Sequence, residues 1–310
     1  MSNLIHRHSD GVFIIAATPF DESGAIDFDS TDRMVDFYLE TGVSGMTILG
    51  IMGEAPKMAG DEAERFARHV LKRVGGRVPV VVGVSAAGLD NMARLSNTAM
   101  DAGAGGVMVA PQPGMITEAK LTSYMAQVCG ALGNTPICFQ DYPQTTGVQV
   151  SVETIVGLTV DHPQIVMLKH EDWPGLTKLS RVRAETETGE VPRLSILTGN
   201  SALFLAQEMQ RGADGAMTGF AYPEMLVQVV ARHKAGDVDG AEDLFDAYLP
   251  MIRYEQQLGL GLAIRKEVLR RRGVIATSKV RAPGPAMTAR DQEELTRLMT
   301  RLDKRLKELN

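Results

Sequence analysis

Short apolar runs and amphipathic stretches alternate along most of the chain. The runs are Gly11–Pro19, Ser44–Gly50, Val78–Ser85, Gly106–Ala110, Pro136–Gln140, one opening at Ile165, Leu194–Leu197 and Gly215–Thr218. Each is short and apolar enough to be a strand buried on both faces. Between and after them, helical periodicity predicts Asp29–Glu40, Asp61–Val74, Asp90–Ala102, Glu118–Leu132, Val152–Val160, Leu176–Glu187, Ala202–Gln210 and Pro223–Ala235. Strands separated by helices must run parallel, because each helix carries the chain back across the sheet.

Eight such units match a closed (β/α)8 barrel, which takes about 250 residues. An open doubly wound sheet could use the same alternation, but no GxGxxG follows the first strand. The expected architecture is therefore an α/β protein, with a catalytic (β/α)8 barrel over residues 1–235 and a C-terminal helical region over 236–310 packed on it. Gly240–Tyr254, Gly261–Arg272 and Arg290–Leu309 read as the helices of that appendage. Leu258, Leu260 and Leu262 fit a role in oligomerisation, and Arg270–Arg272 reads as a solvated helix face.

Composition alters this picture little. The chain has 310 residues, 44% of them hydrophobic, and its net charge of −6 speaks against a nucleic-acid binder. Cys129 and Cys138 form no CxxC and read as buried, inert thiols. The start, MSNLIHRHSD, lacks an apolar signal core, and no run is long enough to span a bilayer, so a cytoplasmic protein is expected.

Active sites of this fold lie at the C-terminal ends of the strands. The exits present Thr18, the GIMGE loop from Gly50, Ser85, the APQPG loop from Ala110, Gln140-Asp141-Tyr142, Lys169, Thr198–Ser201 and Thr218-Gly219. Lys169 is the one nitrogen nucleophile in that ring. It ends the run QIVMLKHE, where desolvation favours a free amine able to attack a carbonyl. A lysine snorkelling to solvent is the plainer alternative. Gly50 and Gly53 frame a turn whose amides suit an anion, though they also suit a tight βα turn. An amine beside an anion cradle describes a receptor for a 2-keto acid. Glu171 falls on the Lys169 side of an extended strand and is placed to exchange protons with the amine. The histidines are scattered, with His6 and His8 in an expectedly flexible tail, so no metal site is expected.

With these residues in place, the chain resembles, over nearly its full length, the dihydrodipicolinate synthase/N-acetylneuraminate lyase family of class I Schiff-base lyases. The resemblance rests on TPF at Thr18–Phe20, LGxxGE at Leu49–Glu54, Pro143 with Thr146-Gly147, the strand-six Lys169, and GADGAMTG at Gly212–Gly219. Departures accompany it. Ile51-Met52 replaces the synthases' Thr-Thr, Gln140 their proton-shuttling tyrosine, Pro113 a second tyrosine from the neighbouring subunit, and Thr145 the arginine that binds the aldehyde's carboxylate. An amide cannot relay a proton as a phenol does.

The subgroup that includes L-2-keto-3-deoxyarabonate dehydratase is more similar, through QDxP at Gln140–Pro143, KxExxPG at Lys169–Gly175 and GAMTG at Gly215–Gly219. The resemblance implies a lyase that dehydrates a 2-keto-3-deoxy sugar acid through an imine on Lys169. Gln140, Tyr142 and Glu171 would complete the catalytic set, while Gly50, Ile51, Met52, Gly199, Asn200, Met217 and Thr218 would bind substrate. It further implies no cofactor beyond the covalent imine, no metal, no nucleic acid or membrane partner, and a homotetramer or dimer. A pyruvate-dependent aldolase, a synthase-type condensation and a catalytically silent keto-acid-binding barrel stay open as alternatives.

Overall fold

A computed structural model describes residues 3–309. Eight parallel strands close into a barrel in sequence order. They are β1 (Gly11–Ile15), β2 (Gly45–Ile48), β3 (Val80–Gly83), β4 (Gly106–Val109), β5 (Ile137–Asp141), β6 (Ile165–His170), β7 (Ser195–Thr198) and β8 (Gly215–Ala216). The crossovers carry α1 (Phe28–Glu40), α2 (Gly60–Val74), α3 (Leu89–Asp101), α4 (Glu118–Leu132), α5 (Pro143–Thr146) and α6 (Val152–Asp161). They continue with α7 (Leu176–Thr186), α8 (Leu205–Gln210) and α9 (Pro223–Lys234), and α10 (Val238–Glu255), α11 (Gly261–Arg271) and α12 (Ala289–Leu309) follow. The predicted (β/α)8 barrel with C-terminal helices is the fold observed.

Period-2 alternation divides the strand residues between two cores. Outward side chains such as Ile14, Val82, Phe139 and Leu168 join the layer beneath the helices. Inward ones, including Phe13, Val81, Met108, Cys138, Met167, Leu197 and Met217, fill the barrel, and Ile5 closes it from below. Ile5 donates its N–H to Gly105 O at 2.8 Å, and Arg7 reaches Arg193 O at 2.8 Å. From Asn3 onward the chain therefore caps the barrel floor, where a flexible tail was expected.

Two local readings change. The helix expected from Ala202 begins at Leu205, because Asn200, Ser201 and Ala202 all have positive φ and form a tight turn first. The short α5, with Pro143 in its first turn, escapes periodicity analysis by its length.

Helix α10 packs against α9 and α12. Helix α11 turns Arg265 and Lys266 inward, where each is no more than 2% exposed. The arginine cluster beyond them is less solvated than expected. Arg271 binds Gln292 and Thr296 of α12, and Arg272 clamps Glu224 of α9 while stacking on Phe37 and Tyr222. Their aliphatic stems and planar heads join elements, so these two side chains are packing groups.

Candidate active site

The ladder between β5 and β6 shifts register between Ile137 and Cys138, pairing Ile137 with Ile165 but Cys138 with Met167. Ile165 faces the helices and Met167 the barrel interior, so the extra residue, Val166, changes the parity of the strand. Strict alternation from Ile165 would send Lys169 outward. The shift turns Lys169 inward and sets Gln140 opposite it.

Lys169 Nζ lies 2.9 Å from Glu171 Oε2, and both residues are buried. Gln140 Nε2 donates to the same oxygen at 2.6 Å. Glu171 is further held by its own N–H to Asp141 O at 2.9 Å and by Asn200 Nδ2 donating to its carbonyl at 3.2 Å. Gly199 supplies room, since a Cβ there would come within 2.3 Å of Glu171 Cγ.

On the opposite face of the sheet, Asp141 and His170 point toward the helices. Lys178 donates to Asp141 Oδ2 at 2.6 Å, and His170 Nε2 meets Gly175 O at 3.0 Å. Burial pushes the Glu208 carboxyl up to about 7, against the opposing pull of the Thr198 hydroxyl and His170. This group braces the lysine strand from behind.

Lys169 and Glu171 open into a cavity of about 370 Å³ at the C-terminal mouth of the barrel. Gln140, Tyr142, Gly50, Ile51, Met52, Asn200 and Thr218 line it too. The tight turn Ile51–Gly53 is closed by the N–H groups of Gly53 and Glu54 bonding back to Gly50 O and Ile51 O, each at 3.0 Å. Those of Ile51 and Met52 stand ahead of these bonds, at the start of the turn. Thr18 Oγ1 anchors the turn from β1 by donating to Gly53 O at 2.6 Å. Tyr142 is held above the usual phenol range, first by burial and then by the Glu171 charge.

Two expected binding residues lie off the cavity. Gly199 is behind Glu171, and Met217 is wholly buried in the barrel interior, with its sulfur 3.8 Å from Cys138 Sγ. Inward parity at the end of β8 directs Met217 beneath the cavity floor.

Among the other lining residues, Glu54, Thr145 and Ser201 fall in stretches already singled out and Leu258 was expected in an oligomer contact, whereas Arg265 belongs to no motif. Arg265 could have been suspected, because with Gly261 and Leu269 it falls at i±4 on the buried face of α11. Backbone strain concentrates here, with Leu49, Glu54, Asn200 and Ser201 at φ of 52–58°. A neighbouring cavity of about 670 Å³, walled by Met108, Pro111 and Pro113, shares Gly50, Ile51, Gln140 and Thr145 with the first. Among the described residues no cluster of three metal-ligating side chains occurs. No helix among them is long and apolar enough to cross a membrane.

A model of the dihydrodipicolinate synthetase family matches residues 8–302. L-2-keto-3-deoxyarabonate dehydratase from Azospirillum brasilense is 30% identical over 302 residues, covering 96% of this chain and 95% of that protein. A 4-hydroxy-tetrahydrodipicolinate synthase from Sorangium cellulosum (strain So ce56) is 33% identical over 235 residues, 74% of this chain and 76% of that protein. Among solved structures, one described as dihydrodipicolinate synthase from Rhodopseudomonas palustris superposes with a TM-score of 0.94. It is 48% identical and covers 96% of this chain and 99% of that one.

Proposed function

The chain belongs to the dihydrodipicolinate synthetase family and is a lyase, and from that premise we propose that it dehydrates a 2-keto-3-deoxy sugar acid through an imine on Lys169. The observation that carries the reading is the buried Lys169–Glu171 pair, 2.9 Å apart at the floor of the cavity.

Glu171 takes a proton from Lys169, and the amine attacks C2 of the keto acid. The carbinolamine loses its oxygen as water, leaving a cationic imine. That cation acidifies C3; a base removes the proton and the electron pair passes to nitrogen as an enamine. The enamine then drives out the C4 hydroxyl, which takes up a proton and leaves as water. The C3=C4 alkene so formed loses a proton from C5 and gains one at C3, giving a C4=C5 enol that becomes the aldehyde. Addition of water at C2 then releases this semialdehyde and restores the amine.

Glu171 is within reach of the first transfer, and the Tyr142 phenol in the same cavity is available for the later ones. Ile51 and Met52 amides at the head of their turn suit the C1 carboxylate. Asn200 Oδ1, buried and without a partner among the described residues, can accept from a substrate hydroxyl.

The test is borohydride trapping. Pyruvate or a keto-deoxy acid with borohydride should add one reduced adduct to Lys169, read by peptide mass spectrometry, and none to Lys169→Ala. An unmodified Lys169 in the wild type would sink the proposal. Free pyruvate released from keto-deoxy acids, with no semialdehyde, would replace dehydration by aldol cleavage.

A second reading is condensation of pyruvate with an aldehyde, favoured by the 48% identity to the structure described as a dihydrodipicolinate synthase. Gln140 and Thr145 weigh against it, since neither the phenol nor the guanidinium of the synthases stands at those positions. Pyruvate consumption that depends on an added carboxylated aldehyde would establish it instead.

A further inference from the structure

Arg265 enters the cavity from α11, outside the barrel, and is 2% exposed. Its Nε donates to Glu255 Oε1 and its Nη2 to Ser201 Oγ at 3.3 Å. Glu255 is fixed in turn, because its other oxygen accepts the Ala221 N–H at 3.2 Å. The third nitrogen, Nη1, is buried and has no partner among the described residues. Two of the three guanidinium nitrogens are thus anchored, which sets the direction of the remaining one.

Gly219 shows where that nitrogen lies. A Cβ at Gly219 would sit 1.9 Å from Arg265 Nη1, so the absent side chain is what admits the guanidinium to this wall. Gly219 and Arg265 both line the same cavity as Lys169. A buried, rigidly held donor without an acceptor is costly in isolation, and it is rewarded when a ligand supplies the acceptor.

We propose that Arg265 Nη1 is a binding group for the far end of the substrate, donating to the terminal hydroxyl of a polyhydroxy keto acid. The inference rests on the reading of this cavity as a keto-acid site, although binding alone can test it. Glu255 already balances the Arg265 charge at contact distance, so the subsite is electrically neutral before ligand arrives. A neutral oxygen fits such a donor, whereas a second carboxylate would leave an uncompensated buried charge beside Glu255. The position also explains the course of the chain after α10. Gln256–Gly259 and Gly261 line the cavity, and this stretch leads directly into the helix that carries Arg265.

Calorimetry with three inert 3-deoxy acids tests the proposal. Each has a hydroxyl at C2 in place of the ketone, so it forms no imine, and they end in CH2OH, CH3 or a carboxylate. The wild type should bind the CH2OH acid about tenfold or more tightly than the CH3 acid. Arg265→Lys keeps a cation beside Glu255 but lacks Nη1, and it should bind the two within about threefold. Gly219→Ala, which displaces Nη1 without removing the charge, should lose the preference likewise and decides the matter if the lysine variant fails to fold.

The proposal is overturned if the wild type binds neither acid or shows no preference. It is also overturned if a folded variant keeps the preference, or if the carboxylate-ended acid binds the wild type more tightly than the CH2OH acid. Borohydride trapping stays independent of this result. A Lys169 adduct without hydroxyl preference sinks only the Arg265 subsite, and preference without an adduct sinks only the imine mechanism.

Discussion

Gln140 stands opposite Lys169 across the β5–β6 ladder because one extra residue in β6 shifts the register below them. The amide then donates to Glu171 Oε2 at 2.6 Å, on the oxygen that also meets Lys169. Where a phenol would relay protons, the amide can only hold the carboxylate in place. On the proposed mechanism the proton work falls to Glu171 and Tyr142, and the shape of the site to Gln140 and Gly199.

Glu171→Gln should lower kcat by about 10²–10⁴-fold, the span typical of a lost acid–base group. The glutamine keeps the size of the side chain but cannot accept the Lys169 proton. Single-turnover borohydride trapping should slow in parallel, and a variant that traps pyruvate at the wild-type rate would remove Glu171 from the first transfer.

Gly199→Ala probes the same carboxylate from behind. Its Cβ would be 2.3 Å from Glu171 Cγ, so the glutamate must move away from Lys169. The φ of Gly199 is −113°, so no left-handed backbone opposes alanine, and circular dichroism of the variant separates a loss of activity from a loss of fold. A fall of about tenfold to a hundredfold in kcat is expected for displacement by roughly 1 Å. Unaltered kcat would show that Glu171 does not need its present position.

The barrel was legible in the sequence because eight buried strands need eight apolar runs, and the crossover helices need an apolar stripe each. Lys169 was legible through its place at the end of one run, and Glu171 through period-2 spacing from it. The structure preserves that spacing only above Val166, whose register shift no periodicity reveals.

Arg265 escaped for a different reason. It lies next to the cavity through tertiary contact from α11, whereas Glu54 is carried there by the β2 exit loop and its carboxylate is held by Lys266 and the Arg281 N–H. Met217 was misplaced because its motif locates the strand exit without the direction of each side chain.

Glu208 predicts a pH effect on stability. Burial raises its folded-state pKa to about 7 from the ordinary 4.5, so the folded chain holds this proton more tightly than the unfolded one. Its contribution is intact below about 4.5 and is lost as pH rises toward about 7, amounting to about 3 kcal/mol by linkage. Glu208→Gln cannot ionise and should be more stable than the wild type at pH 8, with the difference shrinking toward pH 4.5. Urea denaturation across that range measures it, and a pH-independent difference would contradict the assignment.

Lys266 links stability to pH in the opposite sense. Its ammonium is buried between Glu54 and Lys279 O, over the face of Phe20 at 4.6 Å. Burial lowers its pKa to about 8, with Glu54 opposing the shift, so the folded state sheds this proton more readily than the unfolded one near 10.5. The linked penalty is full below about 8 and is relieved as pH climbs to about 10.5, so this group makes stability rise across that window. Lys266→Met strands Glu54 with fewer charges around it and should cost about 3–5 kcal/mol at pH 7, as for other broken buried pairs. Lys57 still reaches Glu54 at 2.9 Å, which places the expected loss at the lower end. Adding Glu54→Gln to Lys266→Met removes the stranded charge and should recover at least about half of the loss. Denaturation of the two single variants and the double variant closes the cycle. Additive losses would show that Glu54 and Lys266 do not act as a pair, and that the link between the Ile51–Gly53 turn and α11 rests on packing alone.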